Sequence, residues 1–162
     1  MRAMQRFLLA LCLLAAAVNA AAQELHPFVS GSIKEIAASR QGKPYILGLW
    51  SLTCTHCRDE LSILSGLKKK YPALDLVLIS TDTPADRTEI LATLQQVALG
   101  NEQAWVFADD FVERLRFEID PKWHGELPRT YLYGATGFRA FSGKLDPREL
   151  ERWIGATRPQ LK

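Results

Sequence analysis

Cysteine and histidine are scarce in this 162-residue chain, at three each. That excludes a disulfide-dense scaffold and leaves few ligands for a zinc site. Neither sign of charge predominates, with 20 Lys and Arg against 18 Asp and Glu, so nothing recommends nucleic acid or an anionic membrane as a partner. Charged residues at 23% and aromatics at 9% are ordinary values that argue against disorder, a coiled coil or collagen. Internal repeats, low-complexity tracts and a second domain are all missing. The longest apolar run, the twelve residues from Phe7 to Val18, falls short of the roughly 20 that a spanning helix needs. The length suits one domain with a real core.

That apolar run follows Arg2 and Arg6 and leads into Asn19-Ala-Ala-Ala22, which is the three-part layout of a secretory signal peptide. Cleavage after Ala22 is expected, so residues 1–22 read as a removed signal and 23–162 as a single domain outside the cytoplasm. An uncleaved anchor is the competing reading. Lipoprotein processing at Cys12 is disfavoured by bulky Leu11 and by apolar sequence beyond the cysteine. Losing Arg2, Arg6 and Cys12 leaves 18 basic residues against 18 acidic ones and two cysteines, Cys54 and Cys57.

Residues 23–43 are turn-rich, with a short helical segment around Ile33 to Ser39. Tyr45 to Trp50 and Leu74 to Ser80 are apolar runs suited to strands buried on both faces. Between them Leu61, Leu64, Leu67 and Tyr71 recur at helical spacing, predicting a helix from about 55 to 71. Asp59 and Glu60 lie near its start and Lys68 to Lys70 at its end, complementing the helix dipole. Thr83-Pro-Ala-Asp86 and Asp146-Pro-Arg-Glu149 read as helix starts. The first opens a helix to about Leu99; the second carries Leu150, Trp153 and Ile154. Short elements are expected at 104–107 (strand) and 109–117 (helix), an irregular stretch at 118–127, and strands at 129–134 and 139–143. The order β-α-β-α-β-α-β-β-α implies parallel crossovers closed by an antiparallel hairpin.

Cys54 and Cys57 stand three residues apart after a buried strand. On a helix turn their Cα atoms would lie roughly 5–6 Å apart, within disulfide range. Unpaired N–H groups and the positive dipole end stabilise a thiolate there. Cys54, nearer the open end, is expected to be the acidic nucleophile and Cys57 the resolving thiol in two-electron exchange. Three other readings compete. Zinc needs two more ligands, and only His26, His56 and His124 remain. A structural disulfide closing so short a loop adds little stability. In a thiol peroxidase, Ser51 would assist a peroxidatic Cys54, although Cys57 would readily capture the oxidised sulfur.

Trp50 four residues before Cys54, the Cys-x-x-Cys helix start, and Gly125-Glu-Leu-Pro-Arg-Thr-Tyr-Leu-Tyr133 before a Gly-turn hairpin resemble the thioredoxin superfamily. More narrowly they resemble the TlpA/ResA-like extracytoplasmic thiol–disulfide oxidoreductases, over residues 27–157. The resemblance implies an α/β thioredoxin fold, with a central mixed sheet flanked by helices and the family's inserted βα element. It implies a periplasmic or otherwise extracytoplasmic enzyme exchanging disulfides with protein substrates, a reductant before an oxidant, recharged by a membrane-bound redox partner. A monomer is expected, with no metal or organic cofactor and no nucleic acid. The alternatives are a copper- or other metal-handling protein using Cys54 and Cys57, with His124 as a candidate third ligand, and the peroxidase above.

By the same resemblance Pro128 would be the cis-proline beside the cysteines, with Leu127 and Arg129 contacting the substrate chain. Glu60 matches a subfamily glutamate that tunes cysteine acidity or relays protons; otherwise it is a dipole-complementing acid. His56 would favour the reduced form, as in strongly oxidising relatives, or be an exposed helix residue. His124 would line the groove or sit on a surface loop. Four positions depart from family patterns. Gly48 replaces a buried aspartate, Thr53 an aromatic, Ser62 a helix-kinking proline, and Arg129 the acid usual in cytochrome c maturation relatives.

Overall fold

The computed structural model describes residues 23–157; the expected signal segment, its cleavage site and Cys12 lie outside them. Among the described residues no helix is long and apolar enough to cross a membrane. The strands are β1 (Leu25–Phe28), β2 (Tyr45–Trp50), β3 (Leu76–Ser80), β4 (Gln103–Phe107), β5 (Arg129–Gly134) and β6 (Gly137–Ser142). The helices are α1 (Ser32–Arg40), α2 (Cys57–Lys70), α3 (Arg87–Gln96), α4 (Val112–Ile119) and α5 (Pro147–Thr157). One sheet holds all six strands in the order β1-β4-β3-β2-β5-β6. The first four are mutually parallel, and β5 runs antiparallel to both β2 and β6.

β2 and β3 are buried along their whole length because helices cover both faces of the sheet. Ile46, Trp50, Leu76 and Leu78 pack with Leu61, Leu64 and Leu67 of α2, Ile90 and Leu94 of α3, and Leu150 and Ile154 of α5. The intervening Leu47, Leu49, Val77 and Ile79 meet Ile33 and Ile36 of α1 and Leu115 and Ile119 of α4. This period-2 division explains the unbroken apolar runs in the sequence. Gly48 lets α2 approach: an added Cβ would lie 3.3 Å from methyl groups of both Leu64 and Leu78.

Four local differences from the sequence expectation have physical causes. β1 falls in the stretch read as turns: it is only four residues long, contains Pro27, and pairs with β4 alone, an edge location where proline is tolerated. α2 begins at Cys57 rather than near residue 55, with His56 at its N-cap. α3 stops at Gln96, short of Leu99. Ala98 there takes a left-handed conformation (φ 59°), and the Leu99 N–H donates to the Leu94 carbonyl (2.8 Å), turning Leu99 into the core. β6 starts two residues early because its ladder with β5 continues to the Gly134–Gly137 pair.

Trp50 and Ser80, the last residues of β2 and β3, are Cα partners. The loops leaving these parallel strands therefore emerge side by side, at the strand end where open α/β sheets form their crevices.

Candidate active site

The residues between β2 and α2 carry both cysteines. Cys54 lies before the helix and is partly exposed; Cys57 opens it and is fully buried. Their Cα atoms are 5.4 Å apart and the sulfurs are joined in a disulfide. The segment is turned on itself by the Cys54 N–H to Ser51 carbonyl and Cys57 N–H to Cys54 carbonyl bonds, each 3.3 Å. A thiolate at Cys54 would thus face solvent at a helix N-terminus, where free amide groups favour negative charge. Cys57, sealed beneath, is placed to attack only Cys54.

An open cleft of about 400 Å³ borders the disulfide, lined by Ser51, Thr53, Cys54, Thr55 and His56 on one side and Gly125 and Leu127 on the other. Trp50 is buried under this floor, packed in the α2 side of the core. The Leu127–Pro128 bond is cis, and the Pro128 carbonyl accepts from the Gly143 N–H (2.8 Å). The fold therefore brings Cys54, His56 and Leu127 to one cleft. His124 is absent from that cleft and lines a separate hollow with Arg116 and Trp123.

Glu60 is 3% exposed and stands on α2 one turn beyond Cys57. Its Oε1 accepts from the Thr130 hydroxyl (3.0 Å) and its Oε2 from the Leu145 N–H (2.9 Å). Burial raises its pKa above the ordinary carboxylate range, opposed by those two hydrogen bonds and by the Lys144 charge. A carboxyl so buried, three residues beyond Cys57, keeps its proton to higher pH than an exposed one. Asp59, largely exposed and 3.7 Å from Lys144, is left as the ordinary first-turn acid.

Arg129 extends away into a polar network. Its guanidinium donates to Asp120 Oδ2 (2.9 Å), Glu126 Oε1 (3.1 Å) and Ser142 Oγ (2.6 Å), and its Nε to the Tyr131 hydroxyl (3.2 Å). Asp120 also accepts from the Lys122 N–H (2.9 Å), and Glu126 from the His124 N–H (3.1 Å). The Trp123 indole donates to the Glu126 carbonyl (2.9 Å). The stretch read as irregular from sequence is thus a tightly pinned hook that presents Gly125 and Leu127 to the cleft. Burial disfavours ionisation of Asp120, but the Lys122 N–H, Arg129 and Tyr131 outweigh it and hold the carboxyl below its usual range.

Sequence reasoning passed over Asp82. It lies two residues beyond β3, where its Oδ1 accepts from the Ser51 hydroxyl (2.8 Å) and its Oδ2 from the Leu52 N–H (2.9 Å) and the Ser80 hydroxyl (2.6 Å). The available signal was register: parallel strands ending together place Thr81-Asp82 beside Ser51-Leu52. Among the described residues no group of three His, Cys, Asp or Glu side chains is arranged to hold a metal.

Neither the family models nor the curated proteins yield a match to this sequence. Solved structures do. A secreted Mycobacterium tuberculosis disulfide oxidoreductase homologous to Escherichia coli DsbE is 25% identical, with a TM-score of 0.57 over 74% of this chain and 85% of that one. A putative thiol:disulfide interchange protein DsbE from Chlorobium tepidum is 20% identical, with a TM-score of 0.55 over 75% and 84%. StoA from Bacillus subtilis is 18% identical, with a TM-score of 0.51 over 70% and 83%. The last two likenesses speak to the fold. With its mixed six-stranded sheet and its Cys54–Cys57 disulfide at the head of α2, the chain has the thioredoxin fold and is similar to these solved thiol–disulfide oxidoreductases.

Proposed function

We propose that this protein is an extracytoplasmic reductant of protein disulfides. The observation that carries the reading is the asymmetry of the pair: Cys54 is partly exposed at a cleft, and Cys57 is sealed behind it. In the reducing direction, Cys54 thiolate attacks one sulfur of a substrate disulfide. A mixed disulfide forms and the other substrate sulfur leaves as a thiolate. Cys57, giving its proton towards Glu60, then attacks Cys54. The second substrate sulfur departs and the Cys54–Cys57 disulfide forms, so two electrons pass to the substrate. A membrane-bound electron donor would return them.

Leu127 lines the cleft opposite Cys54 and would pair its backbone with an extended substrate chain. Arg129 serves the same contact indirectly, by fixing the hook that carries Leu127. The signal-like sequence before Gln23 and the secreted neighbour from M. tuberculosis support a location outside the cytoplasm. The peroxidase alternative loses its main support, because Ser51 donates its proton to Asp82. An oxidant reading draws on one observation, His56 at the cleft rim.

The test is turnover of a protein disulfide such as insulin with dithiothreitol as electron source. The parent protein should accelerate reduction and Cys54→Ser should not. Equal rates for the two would reject the proposal.

A further inference from the structure

The hydrogen bonds around Asp82 fix the direction of the Ser51 hydroxyl proton and, through it, that of Thr53. A carboxylate only accepts, so the Ser51 hydroxyl, 2.8 Å from Asp82 Oδ1, must give it its single proton. Ser51 Oγ is then left as an acceptor. It takes the Thr53 N–H (3.2 Å), and the Thr53 hydroxyl at 3.1 Å can bond to it only as a donor. Both residues line the cleft with Cys54, yet the Ser51 proton points to Asp82 and the Thr53 proton to Ser51. A thiolate at Cys54 therefore receives no hydrogen bond from either. Asp82 also makes no ion pair with any described residue, so no cation offsets its negative charge behind the Ser51–Thr53 segment.

We infer that Asp82 is a positioning residue that holds the Ser51 and Thr53 protons away from Cys54 and so keeps the cysteine pair strongly reducing. The reduced form gains less than it would beside free hydroxyl donors and a neutral side chain, and the disulfide is correspondingly favoured. This is the inverse of the arrangement in which a stabilised thiolate makes a strong oxidant. The inference rests on the thiol–disulfide reading and supplies its direction.

The decisive variant is Asp82→Asn, which can donate to Ser51 Oγ and carries no charge. That releases the Ser51 proton towards Thr53, and the Thr53 proton towards Cys54. The measurement is equilibration of the purified protein with mixtures of reduced and oxidised glutathione. As the Cys54–Cys57 disulfide forms, one oxidised glutathione takes up two electrons and two protons to give two thiols.

Asp82→Asn should shift the equilibrium towards the reduced protein by tenfold or more, about 30 mV in potential. The pH at which Cys54 becomes reactive to iodoacetamide should fall in parallel. Ser51→Ala keeps the charge but removes the acceptor that engages the Thr53 hydroxyl, so it should shift both quantities the same way by less; it also serves should Asp82→Asn fail to fold. An unchanged equilibrium and alkylation profile in a folded variant would overturn the inference, as would a shift towards the oxidised protein. Failure of the parent itself to exchange with glutathione would instead reject the underlying reading.

Discussion

Two loops wall the cleft, and each is built around carboxylates in opposite ways. The Leu127 wall hangs on Asp120 and Glu126, and Arg129 pairs with both at 2.9 and 3.1 Å. The Cys54 wall hangs on Asp82 alone, whose donors are two hydroxyls and one amide, all neutral. One side is an ion-paired brace that presents the proposed substrate-binding edge; the other holds a carboxylate with no ion-pair partner behind the Ser51–Thr53 segment. Rigidity is common to both, whereas only the second can act on the chemistry.

The brace should give the largest effect when broken. Arg129→Met strands the buried Asp120 carboxylate, so urea denaturation should show a loss of about 3 kcal/mol. A change below about 1 kcal/mol would mean the network is not stability-bearing and would undo the contrast between the walls.

pH should separate the walls further. Burial binds a proton to Glu60 more tightly in the folded state than in the unfolded chain. Its contribution to stability therefore falls as pH rises from the unfolded carboxylate value through the raised folded one. Asp120 behaves oppositely: its folded value is lowered, so its contribution is lost as pH falls from the unfolded value through the folded one. Glu60→Gln should abolish the first slope and leave the second, as read from melting temperature against pH. Persistence of the first slope would assign it elsewhere.

Ser80→Ala removes one of three donors to Asp82 while leaving its charge, and should cost about 1 kcal/mol with little change in the glutathione equilibrium. Smallest of all is His124→Ala. This residue lines a different hollow, so exchange kinetics should match the parent, whereas His56→Ala at the cleft rim should alter them.

Much of this was legible in the sequence because its signals are local or periodic. The β2 and β3 runs, the α2 stripe of Leu61, Leu64 and Leu67, and the Pro-initiated α5 all announce themselves within a few residues. So do the cysteines and, through the resemblance, Pro128. What escaped is carried by long-range pairing. β1 exists because β4 supplies its hydrogen bonds, and Asp82 matters because Ser80 lies beside Trp50. Glu60 reads in the sequence either as a dipole-complementing acid or as a tuning carboxyl, and its burial depends on Thr130 and Leu145, 70 and 85 residues away. Arg129 read as a substrate contact because its neighbour is the cis-proline; its own side chain turns to Asp120 and Glu126.

The most direct measurement is mass spectrometry of mixed disulfides formed by reduced Cys57→Ser and Cys54→Ser proteins with a protein disulfide substrate. With the resolving thiol removed, the Cys57→Ser protein should accumulate a stable adduct mapped to Cys54. The Cys54→Ser protein, its remaining thiol sealed in the core, should form almost none. Equal adducts on both cysteines, or none on Cys54, would contradict the account.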